Sequence, residues 1–493
     1  MNSYNKLLIP IFNRIIIVVV CFLVVGFIRC KKLVEVSPPD TFLADGNVYN
    51  SDGTAIAVLT NLYATMSSES IFTGSNSMSL YTGLSSDEFT LFSGISSPDA
   101  KFYYYINSLY ADVPSTTPGT EYWAPLYNMI FLCNSAIEGL SSTNKLTPDV
   151  KSQLLGEAKF LRAFYFFYLT NLYGDVPLAL TTDYKLNSQL PRSAKSEVYK
   201  QLIADLLDAQ TVLKEVYLDG TLLKNSSERL RPNKWAATAL LARVYLYFGD
   251  WTNAEIQSSA VIGNNSLYSL SSLDNAFLKA SKGNKEAIWQ LQPVYDGYNT
   301  QDARVFIIPS SGPNDYQNPV FLSNQLLGAF EPADQRRYGK WVDSIKIGSD
   351  IYYFPKKYKI DQNSTSINEH LTILRLSEQY LIRAEARAQL NKIDDAKTDL
   401  NIVRNRSGLD NTNANSQASL LTAIIHEKQV ELFSEFGHRW FDLKRTNNVD
   451  NVMTVVCPLK SNTNVWRSFQ QLYPIPLTEL QKAGQLAQNP GYE

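Results

Sequence analysis

The stretch EAKFLRAFYFFYLTNLYGDVPL, residues 157–178, decides the fold class of this chain. Its aromatic residues recur at the spacing of one helical face, and mostly aliphatic residues fill the adjoining stripe. These residues are Phe160, Phe164, Phe167 and Tyr168 on the first stripe and Leu161, Tyr165, Leu169 and Leu172 on the second. A helix that is apolar over so wide an arc must be packed on two sides, so we predict a buried helix over residues 150–173. Gly174 is typical of a helix stop, and the following Asp-Val-Pro ends the segment.

Helical periodicity continues on both sides of this stretch. The further predicted helices cover residues 54–66, 123–140, 196–213, 232–248, 252–262, 371–390, 394–406 and 419–436. Most of the chain is therefore expected to be α-helical.

Two of these helix pairs repeat one another. Residues 240–262 align without a gap with residues 382–404, which superposes Ala242 on Ala384 and Ala254 on Ala396. Small residues at such positions let two antiparallel helices approach closely, and the pattern resembles the tetratricopeptide helix-turn-helix unit. Because such units cannot bury their faces alone, we expect others within residues 123–213.

Two stretches lack helical periodicity. Residues 67–122 are rich in Ser, Gly and Tyr and are predicted to be a long loop region. Residues 264–370 contain KEAIWQLQPVY, ARVFIIP and DIYYFPKKYKI, short β-rich runs bounded by Gly, Pro, Asn and Asp. The predicted fold is mostly α, a helical scaffold with a loop-rich half that contains short strands.

Composition excludes several classes of protein. The 493-residue chain is 45% hydrophobic and 19% charged, so it can bury a sizeable core and is not intrinsically disordered. Its 45 Lys and Arg against 47 Asp and Glu give no basic excess, which argues against a nucleic-acid partner.

The N-terminus has the pattern of an export signal. Lys6 and Arg14 precede an apolar run over residues 15–28, the length of a signal-peptide core, and Cys30 follows directly after Arg29. This resembles a bacterial lipoprotein signal, although the residue before the lipidated cysteine is normally small. We predict a signal peptide over 1–29, a lipidated Cys30 with a tether over 30–45, and a single domain over 46–493; an uncleaved anchor or another cleavage site is the alternative.

The remaining cysteines of the exported chain are Cys133 and Cys457. They could form a disulfide in an oxidising compartment or remain two buried free thiols.

Five ordered motifs carry a family resemblance over nearly the whole exported chain. They are residues 157–178, 237–251, 373–390, 426–446 and 473–493. Together with the signal and Cys30, they resemble the SusD/RagB family of outer-membrane nutrient-binding lipoproteins. The resemblance implies a tetratricopeptide-type scaffold whose loop-rich half binds the ligand, and a lipid anchor in the outer membrane at the cell surface. It also implies a SusC-like TonB-dependent transporter as partner, uptake of glycans or sometimes peptides, and no enzymatic activity or cofactor.

One acidic cluster could be mistaken for a catalytic or metal site. Glu427, Glu431 and Glu435 share a helical face between His426 and His438, but HEKQV is not the HExxH zinc motif. We expect a structural polar network with Arg439, Asp442 and Arg445. No catalytic signature is recognised, and no metal site is predicted, although paired carboxylates of the glycosidase type cannot be read from sequence alone.

Ligand-binding residues are expected where tyrosines lie in loops beside polar side chains. A sugar ring stacks on a flat apolar face while amide or guanidinium groups bind its hydroxyls. The candidates are Tyr103, Tyr105, Tyr295, Tyr298, Asn299, Asn314 and Tyr316, each of which could instead be partly buried under the loops. The function predicted is glycan capture for the transporter; the alternatives are a binder of peptides or another nutrient, or a transporter-assembly scaffold without a ligand.

Overall fold

The computed structural model describes residues 48–68, 70–110, 118–462 and 464–492. The predicted signal peptide 1–29, Cys30 and the tether 30–45 lie outside the described residues. Residues Tyr49–Glu493 form one compact unit.

Helices account for most of the regular structure in these ranges. They are α1 Asp52–Ser67, α2 Met78–Ser85, α3 Ala100–Tyr105, α4 Trp123–Ser142, α5 Pro148–Tyr173, α6 Tyr184–Asn187, α7 Lys195–Val212, α8 Lys234–Phe248, α9 Trp251–Gly263, α10 Gln301–Phe306, α11 Asn324–Ala329, α12 Leu376–Gln389, α13 Ile393–Arg406, α14 Gln417–Glu431, α15 His438–Arg445, α16 Val449–Lys460 and α17 Leu477–Lys482.

The described strands are short and pair in three antiparallel ribbons, β1–β3, β2–β6 and β4–β5. They are β1 Phe89–Leu91, β2 Ala287–Leu291, β3 Val320–Leu322, β4 Val342–Ile347, β5 Asp350–Pro355 and β6 Leu371–Arg375. The predicted fold class, mostly helical with a loop-rich half that contains short strands, is confirmed.

Helix α5 lies at the centre of the packing, as its sequence predicts. It contacts α4 on one side and α7 on the other. Its Phe160 and Phe164 rings meet the Trp289 ring of β2 edge-on, with centroids 5.0 and 5.4 Å apart. Gly174 ends the helix with a φ of 77°, a conformation that a residue with a side chain rarely adopts.

The two predicted repeats are helical hairpins, α8–α9 and α12–α13. The small residues Ala242, Ala254, Ala384 and Ala396 are completely buried, which lets the paired helices approach closely. The series continues by contact through α4, α5, α7, α8, α9, α12, α13 and α14. Further units were expected within residues 123–213, and α4, α5 and α7 occupy that range.

Three predicted elements are wrong in part. The helix predicted over 371–390 begins only at Leu376, because residues 371–375 form β6 and pair with β2 inside the core. The helix predicted over 419–436 ends at Glu431, because Ser434 and Phe436 have positive φ. The run ARVFIIP is not a strand but contributes to α10, whose first turn is capped by the Thr300 hydroxyl.

The region 67–122, predicted as loop, contains regular structure where it is described. Helix α2 is completely buried, and β1 and α3 follow it. The sequence of α2 shows no hydrophobic periodicity because several of its buried residues are Ser and Thr. Their hydroxyls are satisfied by internal hydrogen bonds, such as the one that Thr82 Oγ1 donates to the Met78 carbonyl at 2.6 Å.

Cys133 and Cys457 are both buried and free, so the open question of their pairing is settled in favour of two thiols. Burial raises the pKa of the Cys133 thiol well above its ordinary value, which keeps it protonated and unreactive. No helix in the described part of the chain combines the length and the apolarity needed to cross a membrane.

Candidate ligand-binding groove

A groove of about 480 Å³ opens in the loop-rich half of the unit. Four segments contribute to it: the loop before α10, the C-terminal half of α10 with the chain that follows it, the turn at residues 314–318, and residues 361–362. Its lining residues are Tyr298, Arg304, Ile307, Pro309, Asn314, Asp315, Tyr316, Gln317, Asn318, Asp361 and Gln362. A volume of this size suits a small ligand or part of a longer one.

The first wall is built on α10. Arg304 lies one turn into this helix, and its guanidinium carbon is 4.4 Å from the centroid of the Tyr298 ring. The same guanidinium donates from Nη1 to the Gln301 side-chain oxygen at 2.8 Å. The cation–π contact and the hydrogen bond together fix the ring and the charge in one orientation.

The second wall is a tight turn held by two asparagines. The Asn314 side-chain oxygen accepts from the backbone N–H groups of Tyr316 at 3.1 Å and Gln317 at 2.7 Å. The buried Asn318 amide nitrogen donates to the Arg304 and Ile307 carbonyls at 2.8 and 2.9 Å, which attaches the turn to α10. The groove is therefore preformed by protein hydrogen bonds.

Tyr316 is the more exposed of the two tyrosines of the groove. It is 86% exposed, although a tyrosine ring is usually at least partly buried. Tyr298 is half-buried beneath Arg304. The groove thus combines two aromatic rings with amide, guanidinium and carboxylate groups, a combination that can stack a flat apolar face and bind hydroxyl groups around it.

Three of the seven predicted ligand residues meet in this groove: Tyr298, Asn314 and Tyr316. Tyr295 is 42% exposed and lies just outside the lining, where its carbonyl accepts from the Tyr298 N–H at 3.2 Å. Asn299 is only 2% exposed, and its side-chain oxygen accepts from the backbone of residues 368 and 369, so it supports the loop from behind.

Tyr103 and Tyr105 lie elsewhere, on α3. The Tyr103 hydroxyl is 2.6 Å from the Ser97 hydroxyl, and the Lys460 ammonium lies 5.3 Å from the centroid of the Tyr105 ring. Both rings are half-buried against the core. Neither lines the groove, so the predicted residues do not form one continuous site.

Sequence reasoning missed six polar residues of the groove: Arg304, Asp315, Gln317, Asn318, Asp361 and Gln362. Asp315 and Gln317 flank Tyr316 and could have been found from that adjacency. Arg304 was hidden in a run interpreted as a strand. Asp361 and Gln362 are separated from the rest by more than forty residues of sequence, and only the tertiary structure brings them to the groove.

Two other clefts lie among the helices. One of about 550 Å³ borders α12, α14, α15 and α16, and one of about 340 Å³ lies beside α4 and α17. The second is lined mostly by apolar side chains such as Trp123 and Phe131. Neither contains a residue predicted to bind ligand.

The glutamates of α14 and the segment after it are structural, as predicted, but their partners differ. Arg336 Nη1 donates to Glu427 and Glu431 at 2.7 and 2.8 Å, and Arg375 binds Glu431 and Glu435 at 2.5 and 2.8 Å. These side chains are almost completely buried, so they connect α14 to β6 and to residues 334–341, and none of them lines the ligand groove.

The residues expected to share that network form two other ion-paired groups. Arg439 binds Asp87 with two hydrogen bonds of 2.8 and 2.7 Å, and Arg445 binds Glu385 and Asp442. Burial, with nearby cations adding to it, lowers the pKa of His438 well below its ordinary value. Among the described residues, no group of three or more His, Cys, Asp or Glu side chains is arranged to hold a metal ion.

Comparison with known proteins identifies family models and relatives that match this chain. The family model described as the SusD family matches residues 263–492, and a second, described as starch-binding associating with outer membrane, matches residues 60–246. SusD-like protein P25 of Formosa agariphila is 24% identical over 94% of this chain and 96% of its own length.

Solved structures agree in fold. A SusD superfamily protein from Bacteroides vulgatus superposes with a TM-score of 0.75 at 18% identity, covering 89% of this chain and 99% of that chain. A laminarin-binding SusD-like protein superposes with a TM-score of 0.71 at 24% identity, again covering 89% and 99%.

Proposed function

Since the chain belongs to the SusD family, we propose that it is a nutrient-binding protein of the outer membrane that captures glycans. It then delivers them to a SusC-like TonB-dependent transporter. The protein acts by binding and release, and its groove performs no covalent chemistry.

The observation that carries this proposal is the groove that joins Tyr298 and Tyr316 to polar side chains. Each face of a sugar ring has an apolar C–H surface, which loses its contact with water when it stacks on an aromatic ring. Hydroxyls at the ring edge would lose hydrogen bonds on burial unless partners replace water. Arg304, Asp315 and Gln317 supply such partners around the rings.

The similar proteins support the same ligand class. One structural neighbour is described as a laminarin-binding protein, and one matching family model is described as starch-binding. Both descriptions concern glucose polymers. They favour a glycan over the other nutrients that the sequence left open.

The outer-membrane location rests on the N-terminal segment and on the description of the matching family. Cys30 after the apolar run is the proposed lipid anchor, with residues 1–29 removed and 30–45 as a tether. The family description names association with the outer membrane. Substitution of Cys30 by serine should abolish incorporation of a labelled fatty acid and release the protein from the membrane fraction.

A peptide ligand is the second candidate. The carboxylates of Asp315 and Asp361 line the groove and would attract an amino terminus or a lysine side chain. A scaffold without its own ligand is the third, and it predicts that the groove residues can be changed without an effect on uptake.

Titration calorimetry tests the proposal directly. The chain from Lys31 onward is titrated with neutral glucan oligosaccharides and with peptides of similar length. Saturable binding is expected for a glucan, and Tyr316→Ala should weaken it by about 1–2 kcal/mol, or roughly 5- to 30-fold in Kd, through loss of one stacking face. Because Tyr316 is 86% exposed, this substitution should leave the fold unchanged.

The matched control is Tyr184→Ala. Tyr184 is 73% exposed in α6 and lies outside the groove, so its removal should not alter affinity. Equal losses from both variants would contradict a specific role for Tyr316. Binding of peptides alone would replace the ligand class, and heat that continues after saturation would indicate turnover and refute a purely binding function.

A further inference from the structure

We infer that the groove selects uncharged, hydroxyl-rich sugars against glycans that carry sulfate or uronate groups, through the opposed charges of Arg304, Asp315 and Asp361. This inference rests on the proposed function and specifies the ligand class of the same groove. It is carried by the pairing state of these three side chains.

Arg304 is the positive charge of the groove. Its guanidinium carbon lies 4.4 Å from the centroid of the Tyr298 ring, and the group donates one hydrogen bond to Gln301. It forms no ion pair with any carboxylate in the described part of the chain, in contrast to the buried arginines Arg336 and Arg375. Its remaining N–H donors are therefore available to a ligand.

Asp315 and Asp361 are the negative charges. Neither forms an ion pair with a described lysine or arginine, and the Asp361 carboxylate accepts a hydrogen bond from the neighbouring Gln362 amide at 2.8 Å. The groove thus holds two negative charges against one positive charge.

The hydrogen-bonding capacities of the groove side chains also favour an uncharged sugar. An ionised carboxylate only accepts hydrogen bonds, whereas a guanidinium only donates them. A sugar hydroxyl does both, so a ring that lies across the groove can donate to Asp315 and Asp361 and accept from Arg304. A sulfate or uronate group has no proton to donate, and it would lie near two carboxylates that repel it.

The attraction of Arg304 does not reverse this preference. The guanidinium lies over the Tyr298 ring and its Nη1 already donates to Gln301, so only part of its hydrogen-bonding capacity remains for an anion. An anionic group gains one favourable charge and meets two unfavourable ones. We therefore expect an acidic glycan to bind roughly tenfold or more weakly than its neutral counterpart at low salt.

The test uses three oligosaccharides of equal length: a neutral glucan, the same glucan with sulfate esters, and a uronate oligomer. Each is titrated into the mature chain at low and at high ionic strength. At low salt the neutral glucan is expected to bind with higher affinity than either acidic oligosaccharide. The difference in affinity should decrease at high salt, because exposed charges are screened.

The double variant Asp315→Asn with Asp361→Asn isolates the cause. An amide still accepts a hydrogen bond, so neutral binding should weaken a few-fold, while binding of the sulfated glucan should improve and the ratio between them should fall roughly tenfold. The control Asp394→Asn with Asp395→Asn removes the same net charge from exposed positions on α13 and should leave the ratio unchanged.

The possible outcomes distinguish an error in the charge selection from an error in the proposed glycan capture. If acidic glycans bind as tightly as the neutral glucan or more tightly, or if the double variant leaves the ratio unchanged, the charge selection is wrong while glycan capture stands. If the folded wild-type chain binds none of the three oligosaccharides, the proposed function is wrong, and the charge selection, which depends on it, is wrong as well.

Discussion

Replacement of Glu431 by glutamine tests whether the buried glutamates of α14 hold the fold together. Glu431 has no exposed surface and binds three arginines: Arg336 at 2.8 Å, Arg375 at 2.5 Å, and Arg406. Glutamine keeps the volume but removes the charge, and its amide nitrogen would face guanidinium donors. The change therefore removes the ion pairs and leaves the packing intact.

The expected cost follows from what each arginine retains. Arg336 keeps Asp334 and Glu427, Arg375 keeps Glu286 and Glu435, and Arg406 keeps Glu286. Breaking a buried ion pair costs about 3–5 kcal/mol when the remaining charge is left alone. Because no arginine is left alone here, we expect the lower end of that range, about 3 kcal/mol of the free energy of unfolding.

The pH dependence of this cost has a definite sign. Burial alone would raise the pKa of Glu431, but Arg406, Arg375 and Arg336 together hold it well below its usual range. A carboxyl whose pKa is lowered by folding stabilises the fold fully at a pH above its pKa in the unfolded chain. That contribution is lost as the pH falls towards its pKa in the folded protein. The difference between wild type and variant should be full at pH 7 and shrink below about pH 4.

Urea denaturation of both proteins at pH 7 and at lower pH measures this difference. The control is Glu197→Gln, which removes an exposed pair with Lys200 on α7 and should change the free energy of unfolding by no more than about 0.5 kcal/mol. A cost below about 1 kcal/mol for Glu431→Gln would refute the structural role, as would unchanged stability combined with lost ligand binding.

Three further predictions concern stability and thiol chemistry. Burial raises the pKa of Asp302 to about 7, so the free energy of unfolding of the wild type should fall by up to roughly 4 kcal/mol relative to Asp302→Asn between pH 4 and pH 8. Thermal denaturation of both proteins across this range measures the difference, and the same pH dependence in both would contradict the prediction. Gly437 has a φ of 77° and an added Cβ would lie 2.8 Å from a threonine oxygen of α2, so Gly437→Ala should cost about 1–3 kcal/mol in urea denaturation, whereas Gly53→Ala, with open space around it, should not destabilise. Cys133 and Cys457 should both react with an alkylating reagent in the denatured, non-reduced chain, and mass spectrometry that found neither modified would indicate a disulfide.

The groove shows why a binding site is harder to predict than a scaffold. Tyr298, Asn314 and Tyr316 were predicted because tyrosines in polar loops stand out in the sequence. Arg304 was missed because its run is as compatible with a strand as with a helix. Asp361 carries no local signal, since its role depends only on which loop folds beside it.

The sequence by itself determined the helical scaffold of this protein. The 157–178 stretch and the paired alanines of the two repeats specify buried helices through local periodicity, because a helix repeats its contacts every few residues along the chain. The tertiary structure alone decided where residues 371–375 become a strand, which arginines neutralise the glutamates of α14, and which loops enclose the groove. Those outcomes depend on contacts between residues far apart in the chain, and periodicity carries no information about such contacts.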